Sequence, residues 1–174
     1  MKKLLLTFVL FFMLLSNVQA IVPGLTVGRA WKSQGFFEGT ESADFIFISP
    51  YISSLRTTNR AFTFSLDVQA VIGIRMDEPG HLLGLGPTLR TYYNIGSELH
   101  PYLIIGCGLT YSNQEVAGMS MPFNFSTEWG IGVRMTILKY PLMFEYKMYH
   151  TSNAGIIQPN RGQTMNVMMV GGEF

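Results

Sequence analysis

The residues of this chain best suited to chemistry lie near its C-terminal end, in the segment Phe144-Glu145-Tyr146-Lys147-Met148-Tyr149-His150-Thr151-Ser152-Asn153. On an extended strand, His150 and Ser152 project from one face with their Cα atoms about 6 to 7 Å apart. A serine hydroxyl becomes a useful nucleophile when a base accepts its proton, and an imidazole titrates in the range that this task needs. The pair is therefore a candidate base and nucleophile, with an ordinary histidine–serine pair of an exposed loop as the alternative. Phe144, Tyr146 and Met148 share their face, whereas Glu145, Lys147, Tyr149 and Thr151 lie opposite. A reactive pair on the apolar side of a strand suits a membrane barrel whose substrate lies among lipids better than it suits a soluble enzyme.

The residues that follow add to the pair. Asn153-Ala154-Gly155 opens a tight connection, and Gln158-Pro159-Asn160-Arg161-Gly162 carries it to the last strand-like run. Asparagine amides and backbone N–H groups can donate to the anionic oxygen of an ester-hydrolysis intermediate. The same residue types are ordinary turn formers. Asn160 and Asn153 are thus candidate oxyanion donors, with a role in the turn as the alternative.

Such a site has to be held by a scaffold, and the chain points to one. Lys2 and Lys3 precede the apolar run Leu4 to Leu15, and Val18-Gln19-Ala20 has the small-residue pattern of a signal-peptidase site. Residues 1–20 read as a cleaved signal peptide, and residues 21–174 as one exported domain. Eight strand-like runs fill that domain: Ile21–Lys32, Asp44–Leu55, Arg60–Met76, His81–Ile95, Leu99–Ser112, Phe123–Leu138, Pro141–Asn153 and Gln163–Phe174. Alternation is clearest in the sixth. Phe123, Phe125, Thr127, Trp129, Ile131, Val133 and Met135 share one face, and Asn124, Ser126, Glu128, Gly130, Gly132 and Arg134 share the other.

A soluble sandwich could bury the same faces, but an even strand number after an export signal fits an eight-stranded antiparallel outer-membrane β-barrel. Both chain ends would then be periplasmic, and the connection after the seventh strand extracellular, which places His150 and Ser152 near the outer leaflet. Asp67 and Glu128 fall where an internal polar network is expected, and Arg90, Arg134 and Lys147 either join it or sit near anionic lipid headgroups.

Composition narrows the function further. Twelve Lys and Arg stand against eleven Asp and Glu, with Lys2 and Lys3 in the signal segment, so nothing suggests a nucleic-acid partner. Cys107 is the only cysteine and lies in the apolar run Leu103–Leu109, as a small packing residue and not a redox or metal centre. An apolar outer band resembles a protein interface, so a homodimer is compatible with the sequence.

The segment His150-Thr-Ser152-Asn153-Ala-Gly155-Ile-Ile-Gln158-Pro159-Asn160-Arg-Gly162 resembles the lipid A 3-O-deacylase family, the PagL-type outer-membrane enzymes. The likeness extends more loosely over the mature chain through its length and eight-strand pattern. It implies a barrel in the outer membrane of a Gram-negative bacterium, with a serine-hydrolase site on its lipid-facing surface. The substrate would be lipid A within lipopolysaccharide, among outer-membrane lipids, with the 3-linked acyl ester cleaved and no cofactor required. His150 would be the base, Ser152 the nucleophile, and Asn160 and Asn153 would stabilise or organise the oxyanion site. One position departs from the family pattern. Where the family commonly carries a glutamate that orients the histidine, this chain has Thr164, whose hydroxyl can bond an imidazole but cannot supply a carboxylate's charge. Asn166 shares the face of Thr164, while Glu145 and Glu128 fall on the wrong face. The alternative reading is a noncatalytic barrel of the same ancestry that binds lipopolysaccharide or stabilises the membrane.

Overall fold

The computed structural model describes residues 21–33, 44–96, 98–113, 121–158 and 162–174. The segment read as a signal peptide, residues 1–20, and the candidate donor Asn160 lie outside the described residues. Eight strands follow one another: β1 (Val22–Lys32), β2 (Phe45–Thr58), β3 (Phe62–Arg75), β4 (His81–Tyr93), β5 (Leu99–Ser112), β6 (Phe123–Ile137), β7 (Tyr140–Ser152) and β8 (Gln163–Glu173). Each pairs with its neighbours in sequence, and β1 also pairs antiparallel with β8. The sheet closes on itself and leaves no free edge, which excludes the sandwich alternative.

The side-chain alternation makes this barrel inside-out relative to a soluble protein. Leu85, Leu103, Ile105, Leu109 and Ile131 are each more than half exposed on the outer surface. Asp67, Arg90, Glu145 and Lys147 are buried within. An outward apolar band around a polar interior is the pattern of a transmembrane barrel, where each strand alternates between lipid and lumen. Cys107 is exposed on that outer surface.

The interior is layered. At mid-height Arg90 meets Asp67 and reaches Glu145 and Gln69, each at 3.0 Å. Lys147 Nζ lies 2.8 Å from Glu128 and 3.6 Å from Glu145. Thr88 donates to Glu128 at 2.7 Å, and Tyr102 donates to Glu145 at 3.0 Å. Burial of these charges is tolerable because each has an opposite charge beside it. On one side of this layer Ala30, Phe45, Phe47, Leu82, Tyr149 and Met165 pack together; on the other, Tyr51, Tyr92, Tyr102, Ile104 and Met143 do.

β2 continues past the expected end at Leu55 by means of a bulge. The register with β3 shifts between Ser53 and Leu55, and Ser54 Oγ donates to the Leu66 carbonyl at 2.9 Å. The extra residue inverts the alternation. Arg56, which counting from the inward Ser53 would send into lipid, turns inside and pairs with Glu173.

The two barrel ends differ. At one end β6 and β7 are joined through Leu138 and Lys139 alone, with Ile137 paired to Tyr140. At the other end β7 and β8 are separated by residues 153–162. Transmembrane barrels keep short turns on the periplasmic side and longer loops outside. The end of β7 is therefore the extracellular end.

Candidate active site

The end of β7 is held between β6 and β8, with His150 opposite Thr127 on one side and Thr164 on the other. Ser152 is opposite Phe125. Phe144 and Tyr146, on the same face of β7, are each 45 % exposed, while Glu145, Lys147, Tyr149 and Thr151 are buried inside. The faces are those the alternation predicts, and His150 and Ser152 project outward, half-buried. Between them Thr151 turns inward and meets the Thr110 hydroxyl at 2.9 Å, which anchors the strand end from the lumen side.

His150 Nδ1 lies 2.8 Å from Thr164 Oγ1. Thr164 is buried although it belongs to the outer face of β8, and its carbonyl accepts a 3.1 Å hydrogen bond from the Ser33 N–H. The hydroxyl that meets the imidazole is thus fixed by β7 on one side and by the chain leaving β1 on the other. An imidazole engaged through its δ nitrogen can exchange a proton only through its ε nitrogen. Glu128 and Glu145 point into the lumen toward Lys147 and Arg90, so neither carboxylate serves this histidine. Asn166 accepts from the Tyr146 hydroxyl at 3.1 Å.

Gly162 closes the space beneath the pair. Its φ is +64°, a left-handed value that glycine adopts without strain. A Cβ there would lie 2.8 Å from His150 Cε1 and 3.2 Å from Ser152 Cβ. The imidazole edge and the serine Cβ therefore flank the same small volume, and it stays open because residue 162 has no side chain.

The connection after Ser152 is built by Asn153. Its Oδ1 accepts from the Gly155 N–H at 2.9 Å, its Nδ2 donates to the Ile157 carbonyl at 2.8 Å, and the Ile156 N–H returns to its carbonyl at 3.1 Å. Ala154 and Gly155 take φ of +54° and +80°, which makes a tight left-handed turn. The carboxamide read from sequence as a candidate oxyanion donor is thus engaged in shaping this loop. Thr127 and the supporting pair Thr110–Thr151 were not singled out in the sequence. Their signal was the strand register, which alternation alone does not supply.

This arrangement can be set beside known proteins. The model of the PagL family, lipid A 3-O-deacylase, matches residues 49–172, a stretch that contains His150, Ser152, Gly162 and Thr164. No curated relative matches. Among solved structures, the outer membrane enzyme PagL is similar at a TM-score of 0.69 and 17 % identity, covering 87 % of this chain and 98 % of that chain. Neisserial surface protein A is similar at a TM-score of 0.62 and 12 % identity, covering 90 % and 97 %. The N-terminal β-barrel domain of OprF from Pseudomonas aeruginosa gives 0.52 and 14 %, covering 91 % and 100 %. At these identities the likeness to the solved structures is one of fold.

Proposed function

The chain belongs to the PagL family of lipid A 3-O-deacylases, and on that premise we propose that it is an outer-membrane ester hydrolase that removes the 3-linked acyl chain of lipid A. The observation that carries the reading is the 2.8 Å contact of His150 Nδ1 with Thr164, on a lipid-facing strand end that also presents Ser152. The Nδ1–H donates to the threonine oxygen, which fixes the tautomer with its lone pair on Nε2. Nε2 takes the Ser152 proton as Oγ attacks the acyl carbonyl. Backbone N–H groups and Asn160 stabilise the oxyanion, while Asn153 shapes the loop that carries them. The imidazolium then protonates the departing sugar oxygen. Water, activated by the neutral imidazole, hydrolyses the acyl-enzyme, releases the fatty acid and restores Ser152. The outward row Phe144, Tyr146 and Met148, beside Ile131 and Trp129 of β6, offers the acyl chain an apolar surface level with membrane lipid.

A second reading has its own observation. The partner of Nδ1 is a neutral hydroxyl, so the imidazolium formed during attack lacks the charge stabilisation of a carboxylate. A noncatalytic barrel that binds lipopolysaccharide would carry this substitution at no cost. The deciding experiment incubates folded wild type and Ser152→Ala with defined lipid A in detergent and measures product mass and deacylation position. Loss of the 3-linked chain with wild type alone is expected. No cleavage by a folded wild type would select the noncatalytic reading.

A further inference from the structure

The periplasmic mouth of the barrel, at the end opposite His150 and Ser152, holds a cavity of about 160 Å³ lined by Arg56, Thr58, Thr63, Tyr92, Asn94, His100 and Arg134. A single water takes up about 30 Å³ of liquid, so the space admits a polyatomic guest. Three buried polar atoms of this lining have no hydrogen-bond partner among the described residues: Arg56 Nε, the Tyr92 hydroxyl and His100 Nδ1. Tyr92 is only 3 % exposed and forms part of the cavity wall. Buried polar groups normally find a partner, and these three belong to residues that line one cavity.

Charge identifies the partner. Arg56 and Arg134 share one carboxylate, Glu173, each on a different oxygen, with Arg134 Nε at 2.9 Å. Two guanidinium groups against one carboxylate leave a positive charge over in the cavity lining. The next acids inward, Asp67 and Glu145, are paired with Arg90. Arg56 is present here only because the bulge at Ser54 turned it inward. Guanidinium, hydroxyl and imidazole donors around a small polar space match the oxygens of a phosphate group, which takes several charge-assisted hydrogen bonds at once.

We propose that the periplasmic mouth is a binding site for a phosphate-type oxyanion, donated to by Arg56, Arg134, Tyr92 and His100. The group could come from the free ion or from a phospholipid headgroup of the inner leaflet. Two probes separate these sources: inorganic phosphate and a short-chain phosphatidylglycerol, each titrated into the full-length folded barrel in maltoside micelles. Backbone amide NMR signals of Tyr92 and His100 report occupancy. Saturable shifts are expected, with at least tenfold weaker binding in Arg134→Gln and in Tyr92→Phe. The second variant removes only the hydroxyl, so it separates loss of binding from loss of fold, which heat-resistant gel migration checks. Saturation by phosphate assigns the free ion, and saturation by the lipid alone assigns the headgroup; both support the site. No saturable shift with either probe, or equal binding by wild type and both variants, would overturn it.

Discussion

The imidazole of His150 meets the hydroxyl of Thr164 across β7 and β8 at 2.8 Å, so a neutral side chain occupies the orienting position beside the candidate base. A neutral hydrogen bond contributes about 0.5–1.5 kcal/mol, and one to a charged group about 1.5–3 kcal/mol. Thr164→Glu should therefore raise the rate of 3-deacylation about tenfold, because the carboxylate stabilises the imidazolium of the transition state. Thr164→Val, which keeps the shape and removes the oxygen, should lower it about tenfold while the barrel stays folded. Initial rates on defined lipid A check both. Equal rates in all three proteins would remove Thr164 from the reaction.

Gly162 faces His150 Cε1 and Ser152 Cβ at distances that leave no room for a methyl group. Gly162→Ala meets two penalties: the left-handed backbone, at about 1–2 kcal/mol for an L-residue, and displacement of the imidazole or the loop. Activity should fall at least tenfold with gel migration of the folded barrel unchanged. An alanine variant with wild-type turnover would show that the space between the two side chains is not used.

The strand pattern was legible because lipid outside and a polar lumen inside impose a strict two-residue alternation on every strand. That alternation placed His150 and Ser152 on the outer face and Glu145 and Lys147 on the inner one. It also placed Asp67 and Glu128 in an internal polar network, but left Arg90 between that network and the lipid headgroups. It could not foresee the bulge at Ser54, which slips the register by one residue and brings Arg56 inside. Nor could it tell whether the Asn153 amide would face a substrate or its own loop, because asparagine is equally suited to both. The Thr164 contact was half legible: the family resemblance put a hydroxyl where a carboxylate was expected, and only the pairing of β7 with β8 put it against the imidazole.

The interior network should dominate stability without touching the reaction. Arg90 is fully buried and serves Asp67, Glu145 and Gln69 together. Arg90→Leu leaves two buried carboxylates short of their counter-charge, and such losses typically cost about 3–5 kcal/mol. Urea unfolding of the barrel in lipid vesicles should show a shift of that order, whereas Ser152→Ala should leave the midpoint unchanged. A near-neutral Arg90→Leu would mean that lumen water screens these charges.

The β6–β7 turn offers a gain of stability at the end far from His150. Leu138 and Lys139 have φ of +49° and +70°, and they form a two-residue hairpin between the paired Ile137 and Tyr140. Turns with two left-handed central residues match the twist of a hairpin but favour asparagine and glycine, because a Cβ in that region is crowded by the following carbonyl. Leu138 is also 86 % exposed, so its side chain contributes little packing that substitution would lose. Leu138→Asn combined with Lys139→Gly should therefore stabilise the folded barrel by about 1–2 kcal/mol, read as a higher urea midpoint in vesicles. Deacylation should be unchanged, since the turn lies at the periplasmic mouth and His150 near the extracellular one. A lower midpoint would show that Leu138 or Lys139 is held there by the membrane interface and not merely tolerated by the turn.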